Sequence, residues 1–535
     1  GTKQTRYAIS GSLLDQQGIL INSGYKRYQG RIVLDQTINS KLKVSINANY
    51  SNLLQSGISP SQSVFSASHN LMVAIWGARP VSPDVDDPDD MLFDPTINSA
   101  TDYRVNPVIN QKNLVRNNRV QNFTVNAYAE YAIMSNLKLR ISGGVVQNIG
   151  ENEVFNNSQT QYGNPRSLDG VNGSVTFPKN SSWLNENTLN WNKTFGKSHT
   201  INAVAGFTAQ SGKSSSYGMQ ATQLPNEELG LSGLDEGILQ PISATSSLWS
   251  MASYLGRVNY SYKSKYLFTA SFRADGSSKF SSDNKWSYFP SAAFSWRFSK
   301  ENFLVNSKVL SEGKFRVSYG QTGNNRVSDF AYLTLMRLTN PLYVFGNNYQ
   351  PGVEAVQLGN NDLRWENTRQ IDMGIDLGFF DQRLNFTADV YQKTTPDLLL
   401  NANLPTSTGF TTVFKNVGSV RNQGLEFSLN SVNIQKAKFS WSSSFNISFN
   451  KSEVLKLAED QEALISNINW DQQWRNTPAY IAKLGMPLGM MYGFIWDGVY
   501  TYDDFNRTGT GGYILKDNVT TNGNNRDRIQ PGDIK

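Results

Sequence analysis

Apolar and polar residues alternate along much of this chain, and the clearest example lies near its middle. Every second residue of one segment is aromatic or apolar, and the residues between them are mostly polar; the apolar series is Tyr254, Gly256, Val258, Tyr260 and Tyr262. Strict alternation with a period of two predicts a β-strand whose two faces meet different environments. After the short segment 263–265 a second alternating run begins at Tyr266, so the two runs predict an antiparallel hairpin.

The same pattern recurs from one end of the chain to the other. Further hairpins are predicted over segments 28–50, 123–145, 371–390 and 425–449. We count on the order of sixteen alternating segments. The length of each is close to that which a tilted strand needs to cross a bilayer, about 9 to 11 residues. The pattern therefore predicts an all-β chain.

The connections between the predicted strands alternate in length. Short turns at 39–41, 135–136, 263–265 and 379–382 take turns with long polar connections, which are 52–118, 148–182, 210–248, 321–363, 392–415 and 451–492. Transmembrane barrels follow this rule, because their periplasmic turns are short and their extracellular loops are long. In hydrocarbon only a closed sheet pairs every backbone group. We therefore predict a transmembrane antiparallel β-barrel; the alternative is a soluble all-β protein with one solvated face on each sheet.

Composition changes this picture in three ways. Charged residues make up 17% of the 535 residues and aromatic residues 12%, and an aromatic excess suits the belts that mark membrane interfaces. The chain has no cysteine and two histidines, which excludes disulfides, thiolate metal sites and a histidine-rich metal site within it. Its net charge of +6 is mild and unclustered, so nucleic acid is not an expected partner.

Candidate chemistry is sparse. Asp84, Asp86 and Asp87 crowd a proline-rich segment, where carboxylates at close spacing are weak candidates for binding Ca²⁺. The alternative is a solvated acidic loop with no metal. No catalytic constellation is evident, so we expect no enzyme activity and no other cofactor. Residue types alone leave open a glycoside hydrolase that uses two loop carboxylates.

Aromatic residues in the long connections are better candidates for ligand contact. Trp76, Trp470 and Trp474 lie in polar segments where neither a membrane nor a core requires them. A flat ring with Arg79 or Arg475 nearby suits a sugar face or a peptide side chain. These five residues are the predicted substrate-binding set, although each tryptophan could equally pack its own loop.

Several motifs follow one another in the order of a known family. The most specific is Asn416–Glu426, and the others include Arg273–Phe280, Leu363–Glu366, Tyr492–Gly498 and Pro531–Lys535. With these motifs the chain resembles the SusC/RagA class of TonB-dependent outer-membrane transporters of Bacteroidetes-like bacteria. The matches cover nearly the whole chain.

The resemblance implies a barrel of about 22 strands with a plugged lumen in the outer membrane. It also implies import of oligosaccharides or peptides together with a SusD-like surface lipoprotein, with energy delivered by the TonB–ExbB–ExbD complex. On this basis residues 1–535 are expected to form a partial barrel domain, with the plug before Gly1 and the closing strands after Lys535. The alternative function is a secreted or surface glycan-binding all-β protein or adhesin without transport.

Overall fold

One large antiparallel sheet dominates the computed structural model. The structure describes residues 1–58, 71–78, 105–338, 343–346, 348–350, 352–458, 461–468, 477–493, 495–509 and 511–535. Within these ranges the sheet has sixteen strands, which confirms the predicted fold class and strand number.

The strands fall into two groups along the chain, before and after residue 330. The first group is β1 Thr5–Gln17, β2 Gly24–Thr37, β3 Leu42–Ser56, β4 Leu114–Met134, β5 Leu137–Asn156, β6 Asn172–Phe195, β7 His199–Thr222, β8 Ile238–Leu239, β9 Ser243–Tyr262, β10 Tyr266–Ser277, β11 Trp286–Trp296 and β12 Leu310–Asn324. The second group is β13 Leu335–Leu338, β14 Tyr343–Phe345, β15 Asn348–Gln350, β16 Val353–Gln357, β17 Glu366–Phe379, β18 Leu384–Pro396, β19 Leu399–Asn403, β20 Thr412–Asn416, β21 Ser419–Lys436, β22 Phe439–Lys456, β23 Ala463–Asn467, β24 Pro478–Lys483, β25 Met490–Met491, β26 Phe505–Arg507 and β27 Tyr513–Leu515.

Long strands that are consecutive in the chain are neighbours in the sheet. The order is β1-β2-β3-β4-β5-β6-β7-β9-β10-β11-β12-β17-β18-β21-β22, and β8 pairs with β7 beside this path. The other short strands form separate small sheets within or after the long connections. Every step along the path is therefore a hairpin, as the alternating segments predicted.

The two ends of the sheet differ in the length of their connections. At one end, which we call the short-turn end, most turns have two to four residues, and the longest connection is 297–309. At the other, the long-connection end, the chain makes excursions such as 57–113, 325–365 and 397–418. The predicted alternation of short and long connections is thus present in the structure.

Strands at the long-connection end extend further than predicted. The predicted connection 148–182 is mostly strand, because β5 continues to Asn156 and β6 begins at Asn172. The predicted connection 210–248 is shortened in the same way by β7 and β9. Beyond the apolar part of the sheet polar residues such as Glu151 and Glu153 interrupt the apolar series of β5, while the backbone pairing continues. The predicted boundaries of these two connections were therefore wrong.

The apolar face of the sheet is not a protein core. Tyr254, Val258, Phe268 and Phe272 share this face, and between 44% and 56% of each residue is exposed. Buried clusters instead lie at the long-connection end and in the segment that follows β22. No helix in the described ranges is long and apolar enough to cross a membrane.

Two short helices lie in the connection between β3 and β4. They are α1 Leu71–Gly77 and α2 Pro107–Asn113. The Asn106 side chain caps α2 by accepting from the backbone N–H of Val108 and Ile109. Asn22 in turn donates to the carbonyl of Gln111 at 2.9 Å, so α2 is fixed against the β1–β2 connection.

Candidate functional site

Aromatic side chains form two belts on the apolar face. At the short-turn end, Tyr266 pairs with Tyr262 on one side and Trp296 on the other. We call Tyr262, Tyr266 and Trp296 the short-turn belt. Nearer the long-connection end, the ring of Tyr254 stacks on that of Trp286 at 5.9 Å, and the ring of Phe272 stacks on that of Tyr288 at 5.9 Å.

The spacing of these belts matches the height of a bilayer's apolar layer. Strand β11 has 11 residues and runs from Trp286 to Trp296. At a rise of about 3.3 Å per residue and a tilt of about 40°, that strand spans about 25 Å along the barrel axis, the usual height of a barrel's apolar band. Small residues in register, Val258, Ala270 and Ala292, lie between the belts. The arrangement indicates that this face contacts lipid.

The opposite, polar face carries a charge network that spans three strands. Arg316 on β12 donates from Nε to Asp376 Oδ2 at 2.8 Å and from Nη2 to Asp376 Oδ1 at 2.9 Å. The same Nη2 reaches Asp389 Oδ1 on β18 at 2.9 Å, and Lys314 Nζ lies 3.2 Å from Asp376 Oδ2. We call Lys314, Arg316, Asp376 and Asp389 the three-strand charge network.

A glycine makes this network possible. Gly374 on β17 pairs with Arg316 on one side and Asp389 on the other. A Cβ atom at Gly374 would collide with the Asp389 carboxylate and lie 2.8 Å from Arg316 Nη2. The missing side chain therefore leaves the space in which the guanidinium crosses β17. The alternation of apolar and polar residues does not predict this arrangement, because it assigns residues to a face but does not give the register across three strands.

A second ion pair lies on the polar face nearer the long-connection end. Arg273 Nε is 2.7 Å from Asp275 Oδ1, and Arg273 Nη2 donates to Ser253 Oγ at 3.0 Å. Asp275 and Ser253 are both buried. This part of the Arg273–Phe280 motif therefore fixes β9 against β10 and is not a free ligand site.

Three connections meet in one buried cluster at the long-connection end, which we call the rim cluster. Its buried members are Phe280, Phe289, Val327, Ala331, Leu363 and Trp365. Leu399 and Phe414 from the β18–β21 connection pack against it. The indole N–H of Trp365 donates to the carbonyl of Lys285 at 2.8 Å. The motif residues Phe280, Leu363 and Trp365 thus hold neighbouring connections together.

A second group fixes the β5–β6 connection. Arg116 donates to the carbonyl of Phe155 at 3.1 Å and to Asn156 Oδ1 at 2.6 Å. Burial raises the pKa of Tyr162 above its ordinary value, and the nearby charge of Arg116 opposes that rise. Ser158 donates its backbone N–H to Glu227 Oε2 at 2.7 Å, which joins this connection to the next.

Of the predicted substrate-binding residues, the structure places one. Trp76 lies on α1 and is 75% exposed, so it does not pack its own loop tightly. The other four, Arg79, Trp470, Trp474 and Arg475, lie outside the described residues, as do the Ca²⁺ candidates Asp84, Asp86 and Asp87. Both predictions remain untested. In the described ranges no group of three acidic or histidine side chains has the arrangement of a metal site.

Comparisons with known proteins agree with this architecture. The family model described as TonB dependent receptor-like, beta-barrel matches residues 17–531. The chain is 32% identical over 518 residues to TonB-dependent receptor P3 of Formosa agariphila. This alignment covers 94% of this chain and 50% of that protein. It is 30% identical over 532 residues to TonB-dependent receptor SusC of Bacteroides thetaiotaomicron, covering 94% of this chain and 50% of that one.

A similar fold is also found among solved structures. The RagAB peptide transporter aligns with a TM-score of 0.78 at 22% identity, covering 98% of this chain and 55% of that chain. At this identity the likeness concerns the fold. The chain spans about half the length of the curated relatives it matches.

Proposed function

The chain belongs to the family of TonB-dependent receptor-like β-barrels, and from this premise we propose that the whole protein imports oligosaccharides or peptides across the outer membrane. The resemblance to the SusC/RagA type and the outer-membrane location are confirmed by these relatives. The family consists of transporters and receptors, and we propose that this protein makes and breaks no bond in its ligand.

The observation that carries the proposal is the contrast between the two faces of the same strands. On β12, Phe315 and Tyr319 lie on the apolar face, and each is 39% exposed. Between them Arg316 turns to the other face and joins the three-strand charge network. A wall that is apolar toward lipid and polar toward the lumen is what a hydrated import path needs. The charges are paired with one another, so they line that path without offering an isolated charge that would trap a ligand.

Ligand contact is proposed at the long-connection end. This end corresponds to the extracellular side of an outer-membrane barrel. We assign contact with the ligand, or with a SusD-like lipoprotein lid, to Trp76 together with Arg79, Trp470, Trp474 and Arg475. Energy is proposed to come from the TonB–ExbB–ExbD complex.

Two ligand classes are carried forward. A neighbour with a similar fold is a peptide transporter, which supports peptides. An aromatic ring exposed at the rim, as at Trp76, suits the face of a sugar as well as an apolar peptide side chain.

The test uses the full-length protein in cells that also express a SusD-like lipoprotein. Uptake of labelled oligosaccharides and of labelled peptides is compared in cells with and without the transporter gene, and with and without TonB. We expect uptake of one class to require both the transporter and TonB. The proposal would be overturned if cells without the transporter still took up both classes. It would also be overturned if the full-length protein stayed monodisperse in buffer without detergent.

A further inference from the structure

The connection between β11 and β12, residues 297–309, folds back onto the apolar face. The carboxylate of Glu301 accepts hydrogen bonds from the Tyr266 hydroxyl at 2.7 Å and from the Trp296 indole N–H at 3.2 Å. Both donors belong to the short-turn belt. Lys265 Nζ adds an ion pair to Glu301 at 2.9 Å. Glu301 therefore lies on the lipid side of the wall and not below the lumen.

A second contact holds the start of this connection against the same face. The ring of Phe298 lies 5.7 Å from that of Trp296 in an edge-on arrangement. A Cβ atom at Gly313 on β12 would collide with the Phe298 ring, so the ring passes directly over the strand at this glycine. Gly313 pairs with Leu377, a residue of the apolar series of β17. Phe298 thus packs across β12 from the lipid side.

The rest of the connection presents apolar groups that the described protein leaves uncovered. Backbone N–H groups of Leu304 and Val305 donate to the carbonyl of Glu301, which folds the segment into a helical turn. Phe303 is 72% exposed, Val305 59% and Val309 52%. The cationic residues Lys300 and Lys308 stand on either side of this turn. Apolar groups flanked by lysines are typical of segments that lie in a membrane interface.

We propose that residues 297–309 form a clip that lies in the head-group region of the periplasmic leaflet, with Phe303 and Val305 inserted among phospholipids. Phospholipid is the expected contact because the segment is continuous with the short-turn belt. Glu301 and Phe298 anchor it on residues that already face lipid. A clip at this position fixes the height of the barrel in the bilayer. The inference goes beyond nutrient import and holds whichever ligand class is carried.

The test measures the depth of residue 303 in the membrane. Phe303→Cys in the full-length protein, with any cysteine outside this chain replaced, is labelled with a nitroxide and reconstituted in phosphatidylethanolamine–phosphatidylglycerol vesicles. Collision rates with oxygen, which concentrates in lipid, and with a water-soluble nickel chelate are then compared. Ser40→Cys is the matched control, because it lies in the short turn between β2 and β3 and is exposed.

We expect the ratio of oxygen to nickel collisions at residue 303 to be several-fold higher than at residue 40. Adding Glu301→Ala should lower the ratio at residue 303 toward that of the control, because the side chain that accepts from Tyr266 and Trp296 is removed. Equal ratios at residues 303 and 40 would overturn the proposal. A label at residue 303 shielded from both reagents would also overturn it, since it would mean that protein covers the segment.

Discussion

Arg316 on β12 reaches Asp389 on β18 across an intervening strand, with Nη2 and Oδ1 2.9 Å apart. The strand between them contributes Gly374 at the crossing point, so one contact connects three strands of the wall. Hydrogen bonds within one hairpin could not do this. The three-strand charge network therefore adds cohesion in the direction around the barrel, perpendicular to the strands.

Gly374→Ala should sever this link. The new methyl group would occupy the space of the Asp389 carboxylate, so the ion pair with Arg316 has to separate. Because these side chains are 20% to 30% exposed, we expect a loss of about 1 to 2 kcal/mol, near the lower part of the range for hydrogen bonds to charged groups. Urea unfolding of the full-length protein in lipid measures this loss in the free energy of unfolding. The control is Gly256→Ala on β9, where an added Cβ meets no atom within 4 Å; equal losses in both variants would refute the explanation.

Val258→Arg should impair insertion into the bilayer. Val258 lies on the apolar face between the two belts and is 44% exposed, and a charge that faces lipid at this depth costs about 2 to 4 kcal/mol. Thr269→Arg is the matched control, because Thr269 lies on the polar face, where its hydroxyl donates to Asn259. The amount of heat-modifiable barrel in the outer membrane reports the outcome. If the two variants insert equally well, our assignment of the faces is wrong.

The stability contributed by Glu301 should depend on pH. Hydrogen bonds from Tyr266, then Lys265 and Trp296, lower the pKa of Glu301 from 4.5 to about 2. A pKa that is lower in the folded state means that the carboxylate stabilises the fold fully above about pH 4.5 and loses that contribution as pH falls toward 2. The urea midpoints of wild type and Glu301→Gln should therefore differ at pH 7 and converge as the pH falls from about 4.5 toward 2. A difference that stays constant with pH would contradict this account.

Leu363→Ala should loosen the long-connection end without dissolving the sheet. Leu363 is fully buried in the rim cluster, and truncating a buried leucine costs about 2 to 5 kcal/mol. Since the buried members of the cluster other than Phe289 lie in connections, we expect faster proteolysis within 325–365 and 397–418 while the barrel stays intact. Leu333→Ala, at a site 44% exposed in the same connection, is the control. Unfolding of the whole barrel in the Leu363 variant would show that the cluster also supports the strands.

Trp76→Ala should reduce uptake while leaving stability nearly unchanged. The side chain is 75% exposed, so its removal should alter the free energy of unfolding by no more than about 0.5 kcal/mol. Uptake of the cognate ligand and association with the lipoprotein are measured side by side, with Ile75→Ala as the control on the same helix. The double variant of Trp470 and Trp474 to Ala is also expected to reduce uptake. Unchanged uptake and unchanged lipoprotein association would contradict the proposal that these tryptophans contact the ligand or the lipoprotein.

Strand pairing was predictable because it is local. Phe268 faces Tyr260 across a three-residue turn, and the period of two fixes which side chains share a face. The outer limits of the strands were not predictable, since Glu151 and Glu153 interrupt the apolar series of β5 before it reaches the buried Phe155. The pattern also could not predict the three-strand charge network. That network depends on Gly374, which has no side chain, on the strand between donor and acceptor. The fold of 297–309 depends in the same way on Gly313 and Phe298, which the alternation does not bring together.

The hairpin order of the large sheet also bears on how such proteins change in evolution. Every long strand pairs with the long strands before and after it along the chain, and β8 is a short addition beside β7. A gene duplication that copies one hairpin in place would therefore widen the sheet by two strands while leaving the other pairings intact. Insertions between β12 and β17 likewise leave the register of that pair unchanged, since it is set by the strands themselves. The number of strands and the surface loops can thus change in evolution without altering the pairing of the existing strands.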